Sequence, residues 1–329
     1  HILFPQTFVI PMNAEKTITQ WHVPVDDTSC YWYSIFTSFT TPGTIYRYDV
    51  TTGASSVFRA PQVDFDSARY ETKQVFFNSK DGTRVPMFIT HRRGLKLDGK
   101  NPTLLYGYGG FEISQVASYR ASVGAAWLER GGVYILANIR GGGEFGPAWH
   151  QAALKEKRQR AYDDFIAIAE DLVRRKITSP RHLGIQGGSN GGLLMGVMLT
   201  QRPDLFNAVV CQVPLLDMRR YHTLLAGASW MGEYGNPDVP AEWEYISRYS
   251  PYQNVKAGVK YPRVLFTTST RDDRVHPAHA RKMVARMLEQ GHDVLYYENI
   301  EGGHGGAANN RQSAYMSALA YTFLLKQLR

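Results

Sequence analysis

Near residue 82 the spacing of hydrophobic and polar positions changes. Beyond it, short apolar runs rich in β-branched residues alternate with stretches whose apolar residues recur every three to four positions. The runs predict strands at 85–90, 103–106, 133–139, 183–186, 208–213, 264–269 and 294–298. The longer periods predict helices at 121–130, 162–176, 191–200, 277–290 and 312–327. In 162–176, Phe165, Ile168, Ala169, Leu172 and Val173 share one face. Asp163 and Asp164 sit near its start, where carboxylates suit the helix dipole. Gly131-Gly132 and Gly291 close helices, and Pro277 opens one. Strands alternating with helices of this length predict an α/β fold with a mostly parallel, doubly wound sheet and right-handed crossovers. The segment 217–259, rich in Trp, Tyr, Gly and Pro, breaks the rhythm and reads as an insertion on the rim of the sheet. Before residue 80, β-branched and aromatic residues with turn signals such as Thr51-Thr52-Gly53 and Lys80-Asp81-Gly82 predict short strands. No internal repeat of propeller length is visible.

Composition narrows the picture. With 329 residues, 43% of them hydrophobic and 20% charged, the chain is expected to fold throughout, as one large domain or two modest ones. The net charge is +8, but the basic residues are scattered. The densest run, 155–160, also carries Glu156 and reads as a solvated helix face. No nucleic-acid partner is expected. Cys30 and Cys211 lie far apart, and Cys211 sits in an apolar run as a core thiol. With no disulfide framework, no secretory signal and no membrane-length apolar run, a cytoplasmic location without membrane contact is expected. The chain starts at His1 rather than Met, which leaves room for a signal lost upstream.

The candidate chemistry begins with Gly187-Gly188-Ser189-Asn190-Gly191. This G-x-S-x-G pattern follows a predicted strand and opens a predicted helix, the context of a nucleophile elbow. Small flanking residues let strand and helix approach, and the serine is then held on a sharp turn with its hydroxyl projecting. Free N–H groups at the helix start can receive a developing anion. A serine needs a base, and the base an orienting acid. Two loops follow later predicted strands: Arg271-Asp272-Asp273-Arg274-Val275, and Glu301-Gly302-Gly303-His304-Gly305-Gly306. His304 is the candidate base; His276 and His279 lie near a helix start and suit the role less. Spacing alone does not choose between Asp272 and Asp273, and Asp217 is a weaker third. Tyr106-Gly107-Tyr108-Gly109-Gly110-Phe111 follows an early strand and can form an oxyanion-binding loop. Arg140-Gly141-Gly142-Gly143-Glu144 reads as a tight loop supporting the site. The ten histidines include no H-x-x-x-H or H-E-x-x-H pair and no P-loop is present, so no metal or other cofactor is expected.

Taken together, Tyr106 to Phe111, Asn138 to Glu144, Gly187 to Gly192, Gln201 to Phe206, Asp272 to Val275 and Gly303 to Gly305 resemble the catalytic domain of the prolyl oligopeptidase family. The resemblance runs from about Phe36 to Arg329 and implies an α/β-hydrolase fold with an acyl-enzyme mechanism. It implies a triad of Ser189, Asp272 and His304, and an oxyanion hole made of the Tyr108 hydroxyl and the Asn190 backbone N–H. Trp230 matches an indole that stacks on a substrate proline. Phe111, Tyr234 and Val275 match other walls of that pocket, and Arg274 a guanidinium that holds a peptide carbonyl. The implied activity is cleavage of short peptides after proline. Alternatives are a carboxylesterase using the same triad on small acyl esters, and a catalytically dead binding module. Family members carry a β-propeller that caps the site, and here only its last strands are expected, at about 36–66. An uncapped face then makes a homo-oligomer plausible. The expected organisation is an N-terminal extension over 1–66 and a catalytic domain over 67–329. The first 35 residues do not look like the family, and Trp21 to Thr28 is faintly similar to a strand region of Rieske oxygenases without their cluster ligands. A foreign N-terminus, from a fusion or rearranged clone, is therefore expected.

Overall fold

The computed structural model describes the backbone of residues 7–13, 16–24, 30–49 and 52–329, and the side chains of 37–49 and 52–329. Cys30 and the whole Trp21 to Thr28 stretch therefore lie outside the described side chains. The chain divides into two compact units. One comprises His1–Gln74, Phe88–Leu95 and Val116–Gly131, the other Val75–Met87, Lys96–Gln115 and Gly132–Arg329. The boundary proposed at 66/67 falls inside the first of these.

The first unit holds five strands in sequence order: β1 (Thr7–Asn13), β2 (Lys16–Pro24), β3 (Cys30–Ser38), β4 (Thr44–Asp49) and β5 (Ser55–Arg59). Each pairs antiparallel with the next. Its described core is aromatic. The Phe39 and Phe88 rings lie 5.1 Å apart, and Phe65 stacks on Tyr70 at 4.8 Å. The expected helix at 121–130 is one turn, Ala121–Val123, running into a wider turn, Gly124–Leu128. A Cβ on Gly124 would meet the Phe65 ring at 3.1 Å, so glycine sits where ring and backbone meet.

Eight further strands form the second sheet: β6 (Tyr70–Asn78), β7 (Arg84–Arg92), β8 (Thr103–Tyr106), β9 (Val133–Ala137), β10 (Leu183–Gly188), β11 (Ala208–Gln212), β12 (Arg263–Ser269) and β13 (Val294–Asn299). Their spatial order is β13-β12-β11-β10-β8-β9-β7-β6. Every pairing from β9 to β13 is parallel. One row of branched apolar side chains crosses six strands in register: Ile135, Leu105, Ile185, Val209, Val264 and Val294. This is the mostly parallel α/β sheet that the alternation predicts, in the α/β-hydrolase fold that the resemblance implies. The strands read as continuous apolar runs because helices cover both faces.

Helix Asn190–Gln201 is buried from Asn190 to Leu199, and its sequence is apolar all round, as a central helix requires. Helix Gln159–Arg174 buries Phe165, Ile168, Ala169 and Leu172 of the expected face, with Tyr162 added and Val173 only half-buried, and it starts earlier than periodicity indicated. Asp164 therefore lies in its second turn, fully buried, and its partner is Arg140 rather than the helix dipole. The run 155–160 is corrected too. Arg158 is 1% exposed and so cannot belong to a solvated face. Among the described residues no helix is long and apolar enough to cross a membrane. Cys211 is buried, its thiol donates to the Gly192 carbonyl at 3.3 Å, and burial pushes its pKa up.

Candidate active site

The strand order reverses at β8. The chain leaves β8 for β9 on one side and returns as β10 on the other, so β8 and β10 are neighbours whose connections diverge. Ligands of open α/β sheets bind in the crevice beyond such strand ends. Tyr108 follows β8 and Ser189 follows β10, and Tyr106 pairs in register with Gln186.

Ser189 has φ +59° and ψ −118°, a region that strains any residue with a Cβ. Its N–H is anchored to the Gln212 carbonyl at 2.9 Å, and its own carbonyl receives the Leu193 N–H at 3.1 Å. The crossing is possible because Gly187 has no side chain: a Cβ there would lie 2.4 Å from the Gly191 carbonyl oxygen. Burial raises the pKa of the Tyr108 phenol, and a hydrogen bond with Ser189 acts in the opposite direction. The phenol thus stays a protonated donor at neutral pH, beside the serine hydroxyl.

Asp272 and His304 come from the loops after β12 and β13. His304 Nδ1 lies 2.9 and 2.8 Å from the two Asp272 carboxylate oxygens. Asp272 Oδ1 also accepts the N–H groups of Arg274 at 3.0 Å and Val275 at 2.9 Å, which fixes the carboxylate plane. An acceptor-only carboxylate requires the imidazole proton on Nδ1, leaving Nε2 as the basic atom. Asp273 is exposed and does not face His304 in this way. Asp217, the weaker alternative, is 1% exposed and bound to Lys282, Gln253 and Arg220. Burial pushes its carboxyl up, but those partners outweigh burial and hold it low. His279 is buried and accepts the N–H groups of Leu216 and Asp217 at 3.2 and 3.1 Å, while His276 Nδ1 caps Ala278.

The segment 217–259 brings Trp230 and Tyr234 beside Phe111. Phe111 meets Tyr234 edge-on at 5.6 Å and Trp230 edge-on at 6.5 Å. Val275 is buried. Arg274 is exposed, and its guanidinium has no hydrogen bond or ion pair among the described residues, so it is available to a ligand. The loop 140–144 packs against the 109–112 turn. The Gly141 carbonyl accepts the Glu112 N–H at 3.1 Å, and a Cβ on Gly141 would strike the Gly109 carbonyl oxygen at 2.5 Å.

Sequence reasoning missed the residues behind this surface. Asn299 spends its amide on the Gly306 carbonyl at 3.0 Å and Gln312 Oε1 at 2.8 Å, while its Oδ1 accepts from Glu301 and Gly302. It thereby pins the loop that carries His304. An asparagine between a strand and a glycine-rich loop was the available signal. Arg158 and Glu233, with the half-buried His150, form a polar cluster against Asn190, and no spacing rule pointed to them. Among the described residues no group of three or more His, Cys, Asp or Glu side chains is gathered as a metal site.

The prolyl oligopeptidase family profile matches residues 119–329. An uncharacterized peptidase of Sinorhizobium fredii, y4nA, is 52% identical over 319 residues, which is 97% of this chain and 43% of the relative. A prolyl endopeptidase of Elizabethkingia meningoseptica is 43% identical over 300 residues, 90% of this chain and 42% of its own. Among solved structures, a prolyl endopeptidase superposes with a TM-score of 0.90 at 42% identity, over 98% of this chain and 51% of that one. A post-proline cleaving enzyme from Rickettsia typhi superposes with a TM-score of 0.86 at 36% identity, over 100% of this chain and 54% of that one. The chain thus spans less than half the length of these curated relatives. The matches take in nearly the whole chain, leaving too few residues outside them for a foreign segment of 35. The expectation of a fused or rearranged N-terminus is overturned: strongly β-branched strands simply lack the short motifs that make the rest recognisable. The profile and these full-length matches to the chain place it in the prolyl oligopeptidase family.

Proposed function

We propose that this chain is a serine peptidase that cleaves short peptides on the carboxyl side of proline through an acyl-enzyme. Ser189 Oγ attacks the scissile carbonyl carbon while His304 Nε2 takes the hydroxyl proton, and Asp272 holds the imidazole and stabilises its positive charge. The tetrahedral oxyanion accepts hydrogen bonds from the Tyr108 hydroxyl and the Asn190 N–H at the helix start. The C–N bond then breaks as His304 returns its proton to the leaving amine. Water adds to the acyl ester, giving its proton to His304, and Ser189 leaves with that proton restored.

The observation that carries this reading is the hydrogen bond between His304 Nδ1 and Asp272, on the same sheet edge as a serine held at positive φ. The aromatic pocket supports the substrate class. Trp230, Phe111 and Tyr234 offer an apolar slot suited to a rigid ring that loses little entropy on binding. Arg274 can hold a backbone carbonyl of the peptide. Relatives named as prolyl endopeptidases point the same way.

The test is a paired assay on a blocked Gly-Pro anilide and a short-chain p-nitrophenyl ester, with Ser189→Ala as control. Anilide cleavage lost in Ser189→Ala is the expected result. Ester cleavage alone would reassign the chain as an esterase. Turnover retained by Ser189→Ala would reject the mechanism.

A further inference from the structure

Buried charges are rare and are tolerated when paired and hydrogen-bonded. One such pair lies behind the proposed oxyanion hole. Arg158 is 1% exposed and Glu233 5%. Arg158 Nη1 donates to Glu233 Oε1 at 2.6 Å, and Nη2 donates to Asn190 Oδ1 at 2.5 Å. The same Asn190 oxygen accepts the Tyr234 hydroxyl at 2.7 Å, and Asn190 Nδ2 donates to the Tyr108 carbonyl at 2.6 Å. From the other side, Glu233 Oε1 accepts the Phe111 N–H at 2.9 Å, and Oε2 lies 2.7 Å from His150 Nε2. The guanidinium also sits 5.2 Å from the Tyr234 ring centre. Gly110 leaves room for this: a Cβ there would lie 2.6 Å from Asn190 Nδ2 and 2.8 Å from Arg158 Nη2.

These bonds converge on four residues already given roles. Tyr108 and Asn190 are the proposed oxyanion donors, and Phe111 and Tyr234 are walls of the aromatic pocket. We propose that the Arg158–Glu233 pair is a positioning device that locks the oxyanion donors to the pocket wall. A residue seated in the pocket and its carbonyl in the hole are then registered against each other. The inference rests on the proposed function, but neither Arg158 nor Glu233 touches substrate in it. Stability alone is a poor reason for such a pair, since an apolar replacement of similar volume is often neutral or better. Registration is a sufficient reason, because small misplacements of reacting groups are costly in rate.

The experiment uses the full chain with Arg158→Lys and Glu233→Gln. Lysine keeps the charge but has no fork to reach Glu233 and Asn190 together, and glutamine keeps the shape of glutamate without its charge. kcat and KM on the Gly-Pro anilide are measured per active site titrated with a fluorophosphonate. We expect kcat per titrated site to fall roughly 10- to 100-fold with KM within about threefold, the signature of an interaction that matters in the transition state. The preference for the Gly-Pro over the Gly-Ala anilide should shrink as well. A pair that only stabilises the fold would lower the number of titrated sites and leave kcat per site unchanged, and that result overturns the proposal. If Arg158→Lys yields no folded protein, Glu233→Gln decides by the same criterion. Failure of the unmodified chain to label would instead reject the proposed function itself.

Discussion

His279 shows how far the surroundings of one residue can move its chemistry. Burial is the main cause that lowers its pKa from 6.5 to about 4; Asp217 and Asp272 oppose the shift, and Lys282 and His276 reinforce it. Its Nδ1 accepts two backbone N–H groups, a task only an unprotonated nitrogen can perform. The folded pKa is depressed below the unfolded value. Between the two the unfolded chain binds more protons, so stability is full above pH 6.5 and is lost as pH falls toward 4. At pH 4.5 this one group costs roughly 2 to 3 kcal/mol relative to pH 7. In His279→Gln the amide oxygen can accept the same two N–H groups without titrating. Urea unfolding at the two pH values should show a loss smaller by about that amount in the variant. Equal losses in both proteins would mean that His279 is not the group responsible.

Among elements, the turn from β10 into helix Asn190–Gln201 tolerates no added side chain at Gly187 or Gly191. Strand and helix cross where Gly187 faces Gly191, and Gly191 in turn faces Gly107, whose carbonyl oxygen would be 2.7 Å from an added Cβ. Neither contact can relax by rotating a side chain, because backbone atoms stand on both sides. Gly187→Ala should therefore destabilise the chain by about 3 kcal/mol or more and abolish fluorophosphonate labelling of Ser189. Gly232→Ala is the control, since nothing lies within 4 Å of an added Cβ and the position is exposed. It should stay within about 0.5 kcal/mol of the parent in the same thermal or urea melt. A Gly187→Ala protein of normal stability would contradict the crossing geometry.

Across the second compact unit, Arg140 ties together segments far apart in the chain. Its backbone N–H and side chain bind the Asp164 carboxylate, and its guanidinium also reaches Asp81, Thr83 and Ser79 in the turn between β6 and β7. The two carboxyls respond oppositely. Burial dominates at Asp164 and raises its pKa despite the ion pair. At Asp81, which is 42% exposed, the hydrogen bond from Arg140 dominates and holds the carboxyl well below the usual range. Arg140→Met would strand a fully buried carboxylate and should cost about 3 to 5 kcal/mol in urea unfolding at pH 7. Asp81→Asn, at the exposed end, should cost less than about 1 kcal/mol. A small effect of Arg140→Met would show that Asp164 takes a proton instead of paying for its charge.

The sequence by itself determined the α/β alternation, the G-x-S-x-G turn and the strand-end placement of the loops bearing Asp272 and His304. These are local facts: hydrophobic periods report which faces are covered, and a glycine pattern reports where backbones must touch. Spacing left Asp272 and Asp273 equal, because neighbouring loop residues differ only in where the turn aims them. The fold separates them through the Arg274 and Val275 N–H groups, which hold Asp272 toward His304. Arg158 was hidden for the opposite reason. In a basic run it looks like a solvated surface residue, and only partners 32 and 75 positions away, Asn190 and Glu233, make its burial affordable. Asn299 was likewise silent until the His304 loop folded back over it. Periodicity and turn chemistry act over a few residues and can be read in order along a chain. Compensation of a buried charge depends on groups brought together by the whole sheet, so tertiary structure alone decided it.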